Sequence, residues 1–92
     1  MLKITRSELY KIRKALGLTL DEMGALINVS GPQLHYIERG NRRLKTEHIA
    51  LLTRELDLTP ERLARLLAVY DAEESADTLK ERARHKLAKI AR

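Results

Sequence analysis

The stretch that decides the fold is Thr19-Leu20-Asp21-Glu22-Met23-Gly24-Ala25-Leu26-Ile27-Asn28-Val29-Ser30-Gly31-Pro32-Gln33-Leu34-His35-Tyr36-Ile37-Glu38-Arg39-Gly40. Thr19 stands three residues before Glu22, so a hydroxyl and a carboxylate can each satisfy one orphan amide at a helix start. Asp21 and Glu22 put two acids into that positive first turn. Leu20, Met23 and Ile27 recur at helical spacing on one face. Gly24 lies beside them, and its missing side chain leaves room for another helix. Asn28 follows, a residue that tolerates the left-handed conformation past a helix end. Ser30 then caps a second helix, with Gly31 and Pro32 in its first turn. Leu34 and Ile37 face inward, and Gly40 closes the segment. Two short helices meet across Asn28-Val29-Ser30, and the second is amphipathic.

Outward from this pair the same reading repeats. An earlier helix starts near Ser7, capped by Thr5 or Ser7, with Thr5 and Glu8 at capping-box spacing. Its apolar stripe is Leu9, Ile12 and Leu16, and Gly17 ends it. After Gly40 comes a short basic loop, Asn41-Arg42-Arg43-Leu44-Lys45. Thr46 is read as the cap of a fourth helix carrying Ile49, Leu52 and Leu56. Thr59-Pro60-Glu61 opens a fifth, with Leu63, Leu66, Leu67 and Tyr70 on one side. Runs of β-branched residues in two-residue alternation are absent, so the expectation is an all-α protein. From Glu61 onward there is no Gly or Pro. Residues 71–78 nevertheless hold four acids and no aliphatic side chain larger than alanine. A break or bend is expected there, with one continuous long helix as the alternative. Leu79, Ala83, Leu87 and Ile90 then form a narrow apolar stripe. The division expected is residues 1–70 as one domain and 71–92 as a helical extension.

Composition bounds the function. The 92 residues carry 18 Lys+Arg against 13 Asp+Glu, a net charge of +5. The chain has room for one domain, and its charge attracts polyanions without specifying one. The cations gather in the N-terminal half and the last segment. No cysteine is present, which excludes disulfides and thiolate metal sites. His35, His48 and His85 share no common helix face, so no metal site and no cofactor are expected. Ser7, Ser30 and Ser75 read as caps or polar surface, and no phosphate loop, nucleophile elbow or carboxylate pair is present. No enzyme is expected. The opening residues lack the apolar stretch of a secretory signal, no run is long enough for a membrane span, and a cytoplasmic location is the expectation.

The pair of helices around Asn28-Val29-Ser30 forms a helix-turn-helix unit. Residues 9–59 resemble the lambda-repressor/Cro-like, or XRE, family. The resemblance is carried by Leu9-Tyr10-Lys11-Ile12-Arg13, Gly17 to Met23, Val29-Ser30, Ile37-Glu38-Arg39-Gly40 and Leu56-Asp57-Leu58-Thr59. It implies a five-helix lambda-repressor-like domain, here with a C-terminal helix added, whose third helix enters the major groove of double-stranded DNA. It also implies a structural ion pair between Arg13 and Glu38. Charge logic agrees, because an acid at a helix C-terminus opposes the macrodipole and gains from a cation.

With Leu34 and Ile37 inward, a turn of about 100° per residue points Pro32, Tyr36 and Arg39 outward, flanked by Gln33 and His35. Gln33 can read adenine bidentately. Tyr36 can meet a thymine methyl or a phosphate, His35 can donate to a base edge or a phosphate, and Pro32 offers apolar contact. The simpler alternatives are a solvated Gln33 and a Tyr36 packed on a neighbouring helix. Arg39, Asn41, Arg42, Arg43 and Lys45, with Ser30 at the exposed amides of the helix start, are the phosphate-binding candidates. Arg6, Lys11 and Lys14 can add to that grip or form a solvated face. Two positions depart from the family pattern: Leu20 stands where a phosphate-touching Gln is common, and Gly31-Pro32 replaces polar reading residues. Shape readout and backbone contacts then carry a larger share.

Leu79, Ala83, Leu87 and Ile90 can join two copies as a homodimer, pack in cis, or bind another protein. The basic outer residues Lys80, Arg82, Arg84, Lys86, Lys89 and Arg92 are solvated or touch DNA flanks. The functional expectation is a transcriptional repressor of the kind carried by phage or mobile elements. The alternative is an antitoxin-like protein that binds a partner through its C-terminal helix and autoregulates its operon. A third reading is a protein-binding adaptor, against which the cations of residues 42–45 argue.

Overall fold

A computed structural model describes residues 2–90 of the chain, and among these every regular element is helical. The helices are α1 (Arg6–Leu16), α2 (Leu20–Ile27), α3 (Gly31–Arg39), α4 (Thr46–Leu56) and α5 (Pro60–Ile90). The all-α expectation is met, with five helices.

Local chemistry sets most of the boundaries. The Glu8 amide donates to Thr5 Oγ1 at 3.1 Å and the Thr5 amide to Glu8 Oε1 at 3.0 Å. Thr19 and Glu22 repeat this reciprocal pair at 3.1 and 2.9 Å. The Thr19 amide that donates to Glu22 Oε1, with the Thr19 hydroxyl beside it, holds the Glu22 carboxyl below its ordinary range. Asn28 ends α2 at φ 62°, while Gly17 and Gly40 end α1 and α3 in the same left-handed region. Asp57 does so for α4 at φ 50°, although neither Gly nor Asn marks that end in the sequence. α4 also begins one residue earlier than expected. Lys45, not Thr46, is its cap, and the Lys45 amide donates to His48 Nδ1 at 3.1 Å. The buried His48 imidazole thus takes the place of a capping carboxylate.

Leu9, Ile12, Met23, Ile27, Leu34, Ile37 and Leu52 are buried at the centre, where α1 packs on α3 and α5 and α2 packs on α3 and α4. Each such side chain contributes about 1.5–3 kcal/mol by leaving water. Ile4 and Leu58, outside the expected stripes, are buried with them. Leu16, expected inside, lies 40% exposed, on the wall of an open groove that it lines with Leu56, Leu58 and Leu66. Tyr70 meets Tyr10 edge to face at 6.2 Å, and the Lys11 ammonium stands 5.6 Å above the Tyr70 ring. These interactions hold α5 on α1 at the point where its docked part ends.

Gly24 is required by a turn rather than by another helix. A Cβ there would lie 2.5 Å from the Val29 carbonyl oxygen, the turn backbone that folds back so that the Val29 amide reaches Gly24 O at 2.9 Å. Gly24→Ala is therefore expected to destabilise by about 1–3 kcal/mol although alanine is the better helix former. The midpoint of urea unfolding reads this; an unchanged midpoint would show that the turn yields without cost.

The expected break across 71–78 does not occur: α5 is one helix of 31 residues. Losing apolar side chains removes packing, not helical propensity, and Ala72, Glu73, Glu74 and Ala76 are good helix formers. Thr78 donates back to the Glu74 carbonyl at 3.0 Å, and Asp77 precedes Lys80 at i, i+3 spacing, an acid-before-base order that supports a helix. Residues 71–90 are exposed throughout, so they do not pack in cis. The molecule is drawn out to 56 × 29 × 19 Å. Arg92 lies outside the described residues.

Candidate nucleic-acid interface

α3 is held at both ends and along its inner side. The Gln33 amide donates to Ser30 Oγ at 3.2 Å, and the Ser30 amide donates to Gln33 Oε1 at 3.0 Å. Leu34 and Ile37 are buried beneath. At the far end Arg13 clamps Glu38: Nε to Oε2 is 2.8 Å and Nη2 to Oε1 is 3.0 Å. Arg13 Nη1 also donates to the Leu18 carbonyl at 3.1 Å. The two side chains are 13% and 6% exposed, so this is a desolvated, two-pronged pair of the stronger kind.

With α3 fixed in this way, Pro32, Gln33, His35, Tyr36 and Arg39 all stand on one side with access to solvent. The His35 and Tyr36 rings lie 5.9 Å apart. One shallow groove runs from this side to the start of α2 and is lined by Thr19, Leu20, Asp21, Pro32, His35 and Tyr36. A second joins Gln33 to Asn41, Arg42, Arg43, Lys45 and His48. The basic loop is tied to the helix it serves, since the Asn41 and Arg42 amides both donate to the Tyr36 carbonyl, at 2.9 and 3.2 Å. Lys45 reaches Glu47 only at 3.9 Å on an exposed surface. Among the described residues no carboxylate pairs with Arg39, Arg42 or Arg43. Their charge is left unneutralised beside the exposed side of α3.

Several features were not visible in the sequence. Gln33 has one lone pair of its amide oxygen committed to the Ser30 cap, leaving the second lone pair and the NH₂ group for a base edge. Gly31 is buried against the start of α2, and a Cβ there would meet the Asp21 carboxylate, which would have to swing aside. Arg6 lies against Gly40, with Nη1 2.7 Å from where a Cβ would be, which adds a cation at the C-terminal end of α3. Lys11 is turned away to Tyr70, on the α5 side of the domain. Apart from the Ser30–Gln33 cap, whose three-residue spacing is a local signal, no local pattern encodes these placements, because each depends on how α1, α2, α3 and α5 pack.

Two short helices joined by a tight turn, the second bearing an exposed polar edge and a cationic loop, define a helix-turn-helix module. The helix-turn-helix family model matches residues 9–63, more than half of the chain, and the chain belongs to that family, the XRE or lambda-repressor-like group. It is a DNA-binding regulator of the XRE type, a family of regulators and not of enzymes. No match was found to a curated protein or to a solved structure. None of the described helices is long and apolar enough to cross a membrane.

Proposed function

We propose that the protein is a sequence-specific repressor that reads the major groove with α3. It acts in the cytoplasm as a homodimer, joined through the helical extension of residues 71–92. The observation that carries this reading is the continuity of two surfaces: the exposed edge of α3 and the unpaired cations of the following loop share one groove through Gln33. Gln33 and Tyr36 contact bases, with His35 beside them and Pro32 offering apolar contact. Arg39, Asn41, Arg42, Arg43 and Lys45 hold phosphates, as does the exposed Ser30 at the helix start, and Arg6 joins them. Contacts of the second kind set register, while those of the first select sequence. A helix that offers so few polar reading groups leaves room for selection by DNA shape.

Selection of bound duplexes from a random pool tests the proposal, because it reports binding, half-site symmetry and spacing together. An unselected pool would overturn sequence-specific reading. Within the selected site, Gln33→Ala is expected to cost about 1–3 kcal/mol of discrimination at one base pair. Lost capping alone would lower stability without relaxing that single position, so intact discrimination removes Gln33 from the readers.

A second reading, the antitoxin-like one, draws on one observation: Leu79, Leu87 and Ile90 are 63–68% exposed, a bare stripe that a different protein can cover. A toxin-like neighbouring reading frame would favour it.

A further inference from the structure

α5 presents two different apolar faces. At about 100° per residue, Leu63, Leu66, Leu67 and Tyr70 fall on the side docked against the domain. The exposed apolar residues of its outer part fall on nearly the opposite side, and this strip extends back to Val69, itself 43% exposed. A partner helix can therefore run along α5 without meeting the domain that α5 leaves.

The strip has an internal symmetry. About a centre between Leu79 and Lys80, Ala76 is the counterpart of Ala83, Ala72 of Leu87, and Val69 of Ile90. In two helices running in opposite directions, residues equidistant from the centre face each other. The central pair of alanines then allows close approach, small Ala72 meets large Leu87, and Val69 meets Ile90, the small-to-large matching that packs an interface. The charges follow the same centre. Asp71, Glu73, Glu74 and Asp77 precede it, and Lys80, Arg82, Arg84, Lys86 and Lys89 follow it, with Glu81 the one acid among them. Antiparallel pairing sets Glu73 and Asp77 beside Arg84 and Lys80 of the second copy on one flank, and Asp71 beside Lys86 and Lys89 on the other. Parallel pairing sets acids on acids and bases on bases. Flanking charges of this kind choose the orientation of paired helices.

We propose that α5 binds a second copy of this chain as an antiparallel helical pair centred between Leu79 and Lys80, with the two DNA-binding domains at opposite ends. The proposal rests on the homodimer reading above and adds its orientation and register.

The natural chain has no cysteine, so disulfide trapping reports orientation directly. Val69→Cys, Leu79→Cys and Ile90→Cys all fall at exposed positions and leave the fold intact. Under mild oxidation, Leu79→Cys is expected to cross-link to itself. Val69→Cys and Ile90→Cys are expected to cross-link when mixed and not alone. Glu73→Lys with Asp77→Lys is expected to weaken dimerisation, read by sedimentation equilibrium, about tenfold or more. Adding Lys80→Glu and Arg84→Glu to the same chain restores it. Self-cross-linking of Ile90→Cys as efficient as that of Leu79→Cys overturns the orientation and keeps the dimer. A chain that stays monomeric, or that pairs only with a different protein, overturns the proposal and the homodimer together. Duplex selection still reports DNA reading in either case, because each domain carries its own α3.

Discussion

Arg13→Met is expected to destabilise the protein by about 3–5 kcal/mol, the usual cost of stripping one partner from a buried ion pair. The substitution keeps most of the side-chain volume and removes three donors at once. Glu38, only 6% exposed, would then hold its charge with neither Arg13 nitrogen, and the Leu18 carbonyl would lose its donor as well. For a domain of this size each kcal/mol is worth roughly 4–8 °C in Tm, so the thermal transition should fall by at least about 12 °C. Melting followed by helical circular dichroism measures it. The companion variant Arg13→Met with Glu38→Leu should recover much of the loss, because an apolar pair of similar volume needs no charge compensation. A single substitution costing less than about 1 kcal/mol would place the pair with ordinary surface salt bridges and remove it as the clamp that orients α3.

The second large effect concerns DNA. Replacing Arg42 and Arg43 together with alanine is expected to weaken binding to every duplex, matched or not. A charge-assisted hydrogen bond to phosphate is worth about 1.5–3 kcal/mol, so removing both arginines should cost roughly a hundredfold or more in affinity at low salt. The slope of log affinity against log salt should flatten by about two, one for each phosphate no longer neutralised. Stability should change little, since both side chains are exposed and neither is paired among the described residues. Binding measured across a salt series by fluorescence anisotropy separates the outcomes. An unchanged slope would mean that the loop does not touch the backbone. A loss confined to one sequence would make these arginines readers.

The residues behind these two effects differ in how legible they are. Thr19 with Glu22, Ser30 before Gly31-Pro32, and Asn28 as a left-handed stop can all be read directly, since each boundary is made by residues within four positions of one another. The exposed side of α3 follows from Leu34 and Ile37 by helical period alone. The Arg13–Glu38 pair spans 25 residues; charge logic says that Glu38 needs a cation, and only the family resemblance says which. The break expected in α5 rests on treating a polar stretch as a helix end. Propensity and charge order, both present in the sequence, argue for continuity, and they prevail because nothing between 71 and 78 interrupts the backbone hydrogen bonds. Lys45 displaces Thr46 as a cap for a different reason: the amide it leaves free is answered by His48, whose ring is pinned in place by burial.

By itself the sequence determined where the first four helices lie and which side of each is apolar, because periodicity and capping are short-range interactions written in neighbouring residues. Only the tertiary structure decided that Gln33 shares a groove with Arg42 and Arg43, that Arg6 lies against the end of α3 and Lys11 does not, and that Gly31 is buried beside Asp21. Those outcomes depend on the angles and offsets at which packed helices cross. Such angles are set by the shapes of buried side chains distant in the chain, and no local pattern carries them.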